Sequence, residues 1–140
     1  MTNKSKQKGS AFEHDAVELL TKKIPHSSWK RIPGSGAIGT SLGEPLLTAD
    51  LVGKIDSFPK KFRVECKTGY NTSTDKEVKQ FTLKKQWLDK VMEEATNSLS
   101  IPMLIGKFSG ARSGAKTFVV LDTDTFASII NYVTQLKEDL

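Results

Sequence analysis

Only one cysteine, Cys66, occurs in 140 residues. That excludes an internal disulfide and fits a reducing compartment. Histidine is almost as scarce. Neither His14 nor His26 has a cysteine or a second histidine at ligand spacing, so a zinc site is not expected. No apolar run approaches the roughly 20 residues that a membrane-spanning helix needs. No apolar signal core follows the basic opening, residues 1–10, so export is not expected either and a cytoplasmic location is. Internal repeats are missing, as is any linker rich enough to split the chain, which leaves a single domain.

What is present suits an ordinary folded domain: 37% of the residues are hydrophobic and 26% charged. Basic residues outnumber acidic ones, 21 to 16, for a net charge of +5. Lys4, Lys6 and Lys8 lie within a basic N-terminal arm, residues 1–9, ahead of a folded domain over residues 10–140. Such an arm can contact phosphate, since each lysine that neutralises one releases a counterion. It can equally be a solubilising tail.

Ser10-Ala11-Phe12-Glu13 reads as a capping box. A helix follows it, with Phe12, Ala16, Leu19 and Leu20 on the apolar face and Pro25 ending it. A short strand is expected over residues 29–32, and then a glycine-rich loop from Pro33 to Pro45. Strands are expected over 46–52 and 62–67. The second alternates cleanly, with Phe62, Val64 and Cys66 on one side and Arg63, Glu65 and Lys67 on the other. Leu83, Trp87, Leu88, Val91, Met92 and Ala95 are spaced for a helix over 82–95. Strands over 101–108 and 117–121 flank a turn. Asp122 or Thr123 then caps a last helix whose stripe of Phe126, Ile129, Ile130, Val133 and Leu136 is expected to be buried. The order α-β-β-β-α-β-β-α implies an α/β fold, a single mixed sheet flanked by helices.

Glu65-x-Lys67 puts a carboxylate and an ammonium on one strand face. Burying such a face without a partner would be costly. Asp50, from the preceding strand, would complete a hard-oxygen site for Mg²⁺, which favours one or two carboxylates with waters and phosphate oxygens. The Cys66 carbonyl is a natural further ligand, and Lys67 would stabilise a pentacovalent phosphate or orient the attacking water. Glu-x-Lys alone says little, because Glu77-Val78-Lys79 repeats it in a polar stretch. A solvated strand face with a cross-strand ion pair would account for Glu65 and Lys67 as well. Each remaining candidate also has a plain reading. Glu13 fills the capping box, Ser35 is loop chemistry, Arg31 is a surface charge, and Trp29 and Trp87 belong to the core or a dimer interface. Lys85 and Gln86 line a phosphate path or face water.

Five stretches together resemble the archaeal-type Holliday junction resolvases of the PD-(D/E)XK nuclease superfamily. Lys8-Gly9-Ser10-Ala11-Phe12-Glu13 is similar to that family's Lys-Gly-x-x-x-Glu, and Arg31-Ile32-Pro33-Gly34-Ser35-Gly36 to its Arg-x-x-x-Ser-Gly. Ala49-Asp50-Leu51-Val52 and Val64-Glu65-Cys66-Lys67 match its two core motifs, with Ala49 in place of the usual proline. Residues 101–108 are similar to its late proline-containing strand. The matches keep the family's order over residues 8–121.

The resemblance implies a restriction-endonuclease-like core and a Mg²⁺-dependent endonuclease, with Mn²⁺ as a substitute. In that reading Glu13, Asp50, Glu65 and the Cys66 carbonyl form or border the metal site, Lys67 is the catalytic lysine, and Ser35 sits near the scissile phosphate. Arg31 would contact backbone phosphate, as would Lys4, Lys6, Lys8 and Lys85. A homodimer would place paired symmetric nicks in a four-way DNA junction, serving recombination and repair in a cell's cytoplasm or, for a viral gene, its host's. The last helix and the apolar strand over 101–108 are the candidate dimer surfaces. Two other readings stay open: a restriction or repair nuclease of the same superfamily, and a non-catalytic DNA-binding module on its scaffold.

Overall fold

Period-two alternation between Phe62 and Lys67 builds the middle strand of a five-stranded mixed sheet. The computed structural model describes residues 4–32, 50–69 and 78–138, with side chains from Ala11 onward. The expected Gly-rich loop, Ser35, Ala49 and Glu77 lie outside the described residues. The elements are α1 (Lys4–Lys23), β1 (Ser27–Arg31), β2 (Leu51–Ile55), β3 (Phe62–Gly69), α2 (Lys85–Ser98), β4 (Ile101–Phe108), β5 (Thr117–Val120) and α3 (Thr123–Glu138). Strands lie in the sheet in chain order, β1-β2-β3-β4-β5. Every neighbouring pair is antiparallel except β3 with β4. A parallel neighbour needs a crossover, and α2 is that crossover.

Helix α1 covers one face of the sheet. Its Phe12, Ala16 and Leu20, at helical spacing, are buried against Trp29, Leu51, Phe62, Val64, Met103 and Ile105. Helix α2 covers the other face with Val91 and Ala95. It is fastened there by Arg63, which is fully buried on β3 and pairs through Nη2 with Glu94 Oε2 at 2.7 Å. Burial lowers the Arg63 pKa, and the negative charge of Glu94 opposes that shift.

Several boundaries differ from expectation. Strand β2 starts at Leu51 and runs on to Ile55, past the expected end at Val52, so Asp50 stands just ahead of the strand and not within it. Helix α1 begins at Lys4, not at Ser10, so Lys4, Lys6 and Lys8 belong to the helix and not to a separate arm. Lys and Gln are good helix formers, and the segment contains no proline to stop propagation. Helix α2 begins at Lys85 because Lys84 is still extended, and it ends at Leu99 in the left-handed conformation.

The largest departure concerns α3. Asp122 caps it as expected, accepting hydrogen bonds from the Thr125 amide at 3.1 Å and the Thr125 hydroxyl at 2.5 Å. The apolar stripe, however, is not buried within the chain. Ile129 packs on the core, but Phe126, Ile130, Val133 and Leu136 are 55%, 46%, 51% and 42% exposed. By contrast β4, the other candidate surface, is paired on both sides and buries Met103, Leu104 and Ile105, so it cannot serve as an interface.

Gly53 makes the α1 face possible. It lies opposite Trp29 in the register, and a Cβ there would come within 2.1 Å of the indole. Gly53→Ala must displace Trp29 from its place beside Phe62. We expect a loss of about 1–3 kcal/mol, as for other overpacked cores, seen as a melting temperature lower by several degrees. An unchanged melting curve would show that the indole has room to move.

Candidate active site

The β2–β3 register brings the predicted residues together. Leu51 pairs with Val64, which sets Asp50, just before β2, opposite Glu65. The Cys66 amide donates to Asp50 Oδ2 at 2.9 Å and so fixes that carboxylate at the strand end. Two residues beyond Glu65 on the same face, Lys67 Nζ lies 3.3 Å from Glu65 Oε1. From α1, Glu13 reaches the same end of the sheet, where its Oε2 accepts from Arg31 Nε at 2.6 Å. Glu13 is therefore no cap: it lies well inside the helix, and its carboxylate is committed to an arginine on β1.

The electrostatics of the cluster are those of acids short of countercharge. Burial raises the pKa of Asp50, against the opposing pull of the Cys66 amide, Lys67 and Lys90. Glu65 is raised by burial and then by the negative charge of Asp50, despite Lys67 and Lys90. Glu13 is raised by burial, with Asp50 adding to it and Arg31 opposing. The Cys66 thiol, on the opposite face by the strand's alternation, is pushed up by burial and by all three of these acids, which disfavours the thiolate.

Among the described residues no three His, Cys, Asp or Glu side chains form a metal cage. What they form is a pair of half-buried carboxylates, Asp50 and Glu65, with a third acid, Glu13, held off by Arg31. That donor set fits Mg²⁺, which keeps several waters and takes only one or two carboxylates. A divalent cation would relieve the repulsion that raises Glu65.

One family's sequence pattern, described as "Phage putative PDDEXK endonuclease", matches residues 4–138. The chain belongs to that family. It is thus a nuclease of the PD-(D/E)XK type, whose members typically use divalent metals. No curated protein sequence matches it. Among solved structures it is similar to Archaeoglobus fulgidus Hjc, described as a Holliday junction resolvase from an archaeal hyperthermophile. The two are 16% identical, the match covers 86% of this chain and 88% of that one, and the TM-score is 0.48.

In this PDDEXK endonuclease the candidate residues divide into three groups. Glu13, Arg31, Asp50, Glu65, Lys67 and the Cys66 backbone meet at one end of the sheet. Lys85 stands apart: it is exposed and pairs with Asp89 at 2.7 Å along α2. Ser35 lies outside the described residues, and so do the side chains of Lys4, Lys6 and Lys8. The control motif behaves as expected where it is described, since Val78 and Lys79 belong to no strand.

Two residues that border this candidate site were not singled out for it by the sequence. Lys90 is the α2 lysine whose charge acts on both Asp50 and Glu65. Trp87, one helical turn earlier, presents its ring 4.8 Å from Lys67 Nζ. Both follow from packing α2 over β3. The one hint in the sequence was their spacing of three, which places them on neighbouring positions of the helix surface.

Proposed function

We propose that this endonuclease resolves four-way DNA junctions as a homodimer, using Mg²⁺ held by Asp50 and Glu65 with help from the Cys66 carbonyl. The observation that carries the metal site is the register that sets Asp50 opposite Glu65 with Lys67 beside them. When bound, the cation supplies positive charge for the phosphate and lowers the pKa of bound water. The chain's own residues do the rest. Asp50 and Glu65 provide hard oxygens at a fixed separation. Lys67 holds its ammonium beside Glu65, where it faces the negative charge that builds on the phosphate oxygens during attack. Glu13 orients Arg31, whose guanidinium would contact backbone phosphate. Lys90 adds a positive charge on the α2 side of the same cleft.

Two observations favour a junction over DNA in general. The Glu13–Arg31 pair joins the two sequence stretches that set the resolvases apart within the superfamily, Lys-Gly-x-x-x-Glu and Arg-x-x-x-Ser-Gly. The exposed apolar stripe of α3 supplies a surface on which two copies can meet, and a twofold dimer suits a twofold substrate.

The test is a labelled synthetic four-way junction beside a linear duplex of the same sequence, with Mg²⁺ or EDTA. Paired, symmetric nicks leaving 5′-phosphate and 3′-hydroxyl ends, in the junction alone and with metal alone, are expected. Equal cutting of the duplex would replace this reading with a general nuclease. Binding without cutting under Mg²⁺ or Mn²⁺ would replace it with a DNA-binding module.

A further inference from the structure

A lysine side chain carries four methylenes and is poorly preorganised. If Lys67 is to act at the phosphate, something must hold its ammonium in place. Glu65 is one anchor, at 3.3 Å. In the reading above, however, Glu65 also faces the cation, and an oxygen shared with a divalent ion holds an ammonium less firmly. A second anchor therefore matters, and the face of Trp87, 4.8 Å from Nζ, is within cation–π range.

The ring is itself held by a chain of aromatic contacts that returns to Lys67. Phe81 packs against Trp87 with ring centres 6.2 Å apart, and edge-on against Phe118 at 4.8 Å. Phe118 is also backed by Phe108 at 5.0 Å. Phe118 lies over Gly106, where a Cβ would come within 2.2 Å of its ring. Gly106 is the register partner of both Phe118 on β5 and Lys67 on β3. The missing side chain at Gly106 lets the aromatic wall close up beside the lysine's own row of the sheet. Lys84 Nζ, 5.5 Å from the Trp87 ring, adds a second cation to the same residue.

We propose that Trp87 is the positioning residue of the catalytic lysine, its ring holding the Lys67 ammonium at the phosphate-facing end of the cluster. This rests on the reading of Lys67 as the catalytic lysine. Trp87 itself touches no reacting atom. Its removal should therefore lower kcat and leave KM nearly unchanged, because the interaction matters to the transition state and not to DNA binding.

The experiment has two arms. In the first, junction cleavage is measured for Trp87→Leu, which fills space without a π face, and for Trp87→Phe, which keeps one. We expect kcat about tenfold lower for the leucine variant at a KM within about twofold, and a return to within about threefold of the parent for phenylalanine. In the second, tryptophan emission of the metal-free protein is compared with that of Lys67→Met, the Trp87 contribution being isolated by subtracting the Trp87→Phe spectrum, which retains only Trp29. A shift in the Trp87 emission on loss of the ammonium supports the contact. This arm needs no activity and no substitution at the ring. An unchanged Trp87 emission in Lys67→Met overturns the proposal even if the protein cuts junctions. So does a leucine variant that is folded by its melting curve and retains the parent kcat. A protein that cuts no DNA while its Trp87 emission responds to Lys67→Met would instead overturn the nuclease reading and leave the contact standing.

Discussion

Glu65→Gln should reduce Mg²⁺-dependent cleavage by roughly a thousandfold or more, and should also raise the melting temperature of the metal-free protein. The first effect follows from removing one of two anionic ligands from a site whose cation supplies several kcal/mol of charge stabilisation, at about 1.4 kcal/mol per tenfold in rate. The second follows from the direction of the Glu65 pKa. Burial and the charge of Asp50 raise it, and Lys67 and Lys90 do not fully compensate. A carboxyl with a raised pKa binds its proton more tightly in the folded state than in the unfolded chain. Stability therefore falls as pH rises from the unfolded value to the folded one, and above the folded value that cost is fully present. Glutamine carries no charge and escapes it. The same sign governs pH dependence: as pH falls through the raised folded value, protons compete with metal, and cleavage should be lost at a higher pH than an ordinary carboxylate would dictate. Thermal unfolding in EDTA and cleavage in Mg²⁺ together check this. A variant that is less stable without metal, or that still cuts, would sink the assignment.

Phe126→Glu combined with Ile130→Glu should convert the proposed homodimer to a monomer. Both side chains stand on the exposed stripe of α3 and leave the core contact of Ile129 intact. Burying a large apolar side chain contributes about 1.5–3 kcal/mol, and across a twofold axis each substitution counts twice, so the dissociation constant should rise by at least about a hundredfold. Sedimentation equilibrium reads the mass, and junction cleavage should change from paired to single, uncoordinated nicks. A parent protein that sediments as a monomer refutes the homodimer. A double variant that stays dimeric puts the interface elsewhere.

These predictions divide along the line between what local sequence carries and what only packing reveals. The limits of β4 were legible end to end, because a mostly apolar run, interrupted only by Gly106 and Lys107, is closed by turn residues on both sides. The alternation in β3 gave the face shared by Glu65 and Lys67, and Asp122 marked the start of α3. The capping box at Ser10 misled. A motif of the right letters does not stop a helix whose preceding residues are themselves helix formers, and Glu13 turned out to be held by Arg31, eighteen positions away. The α3 stripe misled differently. Periodicity shows that a face is apolar, but not whether the same chain covers it. Trp87 was readable as a core or interface residue. Its contact with Lys67 depends on the α2 crossover folding back over β3, which no local window contains. Lys90 went unnoticed beside Lys85 for the same reason, since two lysines of one helix differ only in what lies beneath them.

The Arg63–Glu94 pair carries an implication for sequence drift. Taking away one partner of a buried ion pair leaves an uncompensated charge and costs about 3–5 kcal/mol, whereas exchanging both for apolar residues of similar volume is often neutral or stabilising. Single replacements at either position are therefore selected against, and double ones are not. Among descendants of a common ancestor, positions 63 and 94 should change in concert: cation with anion, or two apolar residues together. Evolution at the joint between β3 and α2, between the strand of Glu65 and the helix of Trp87, should proceed two residues at a time.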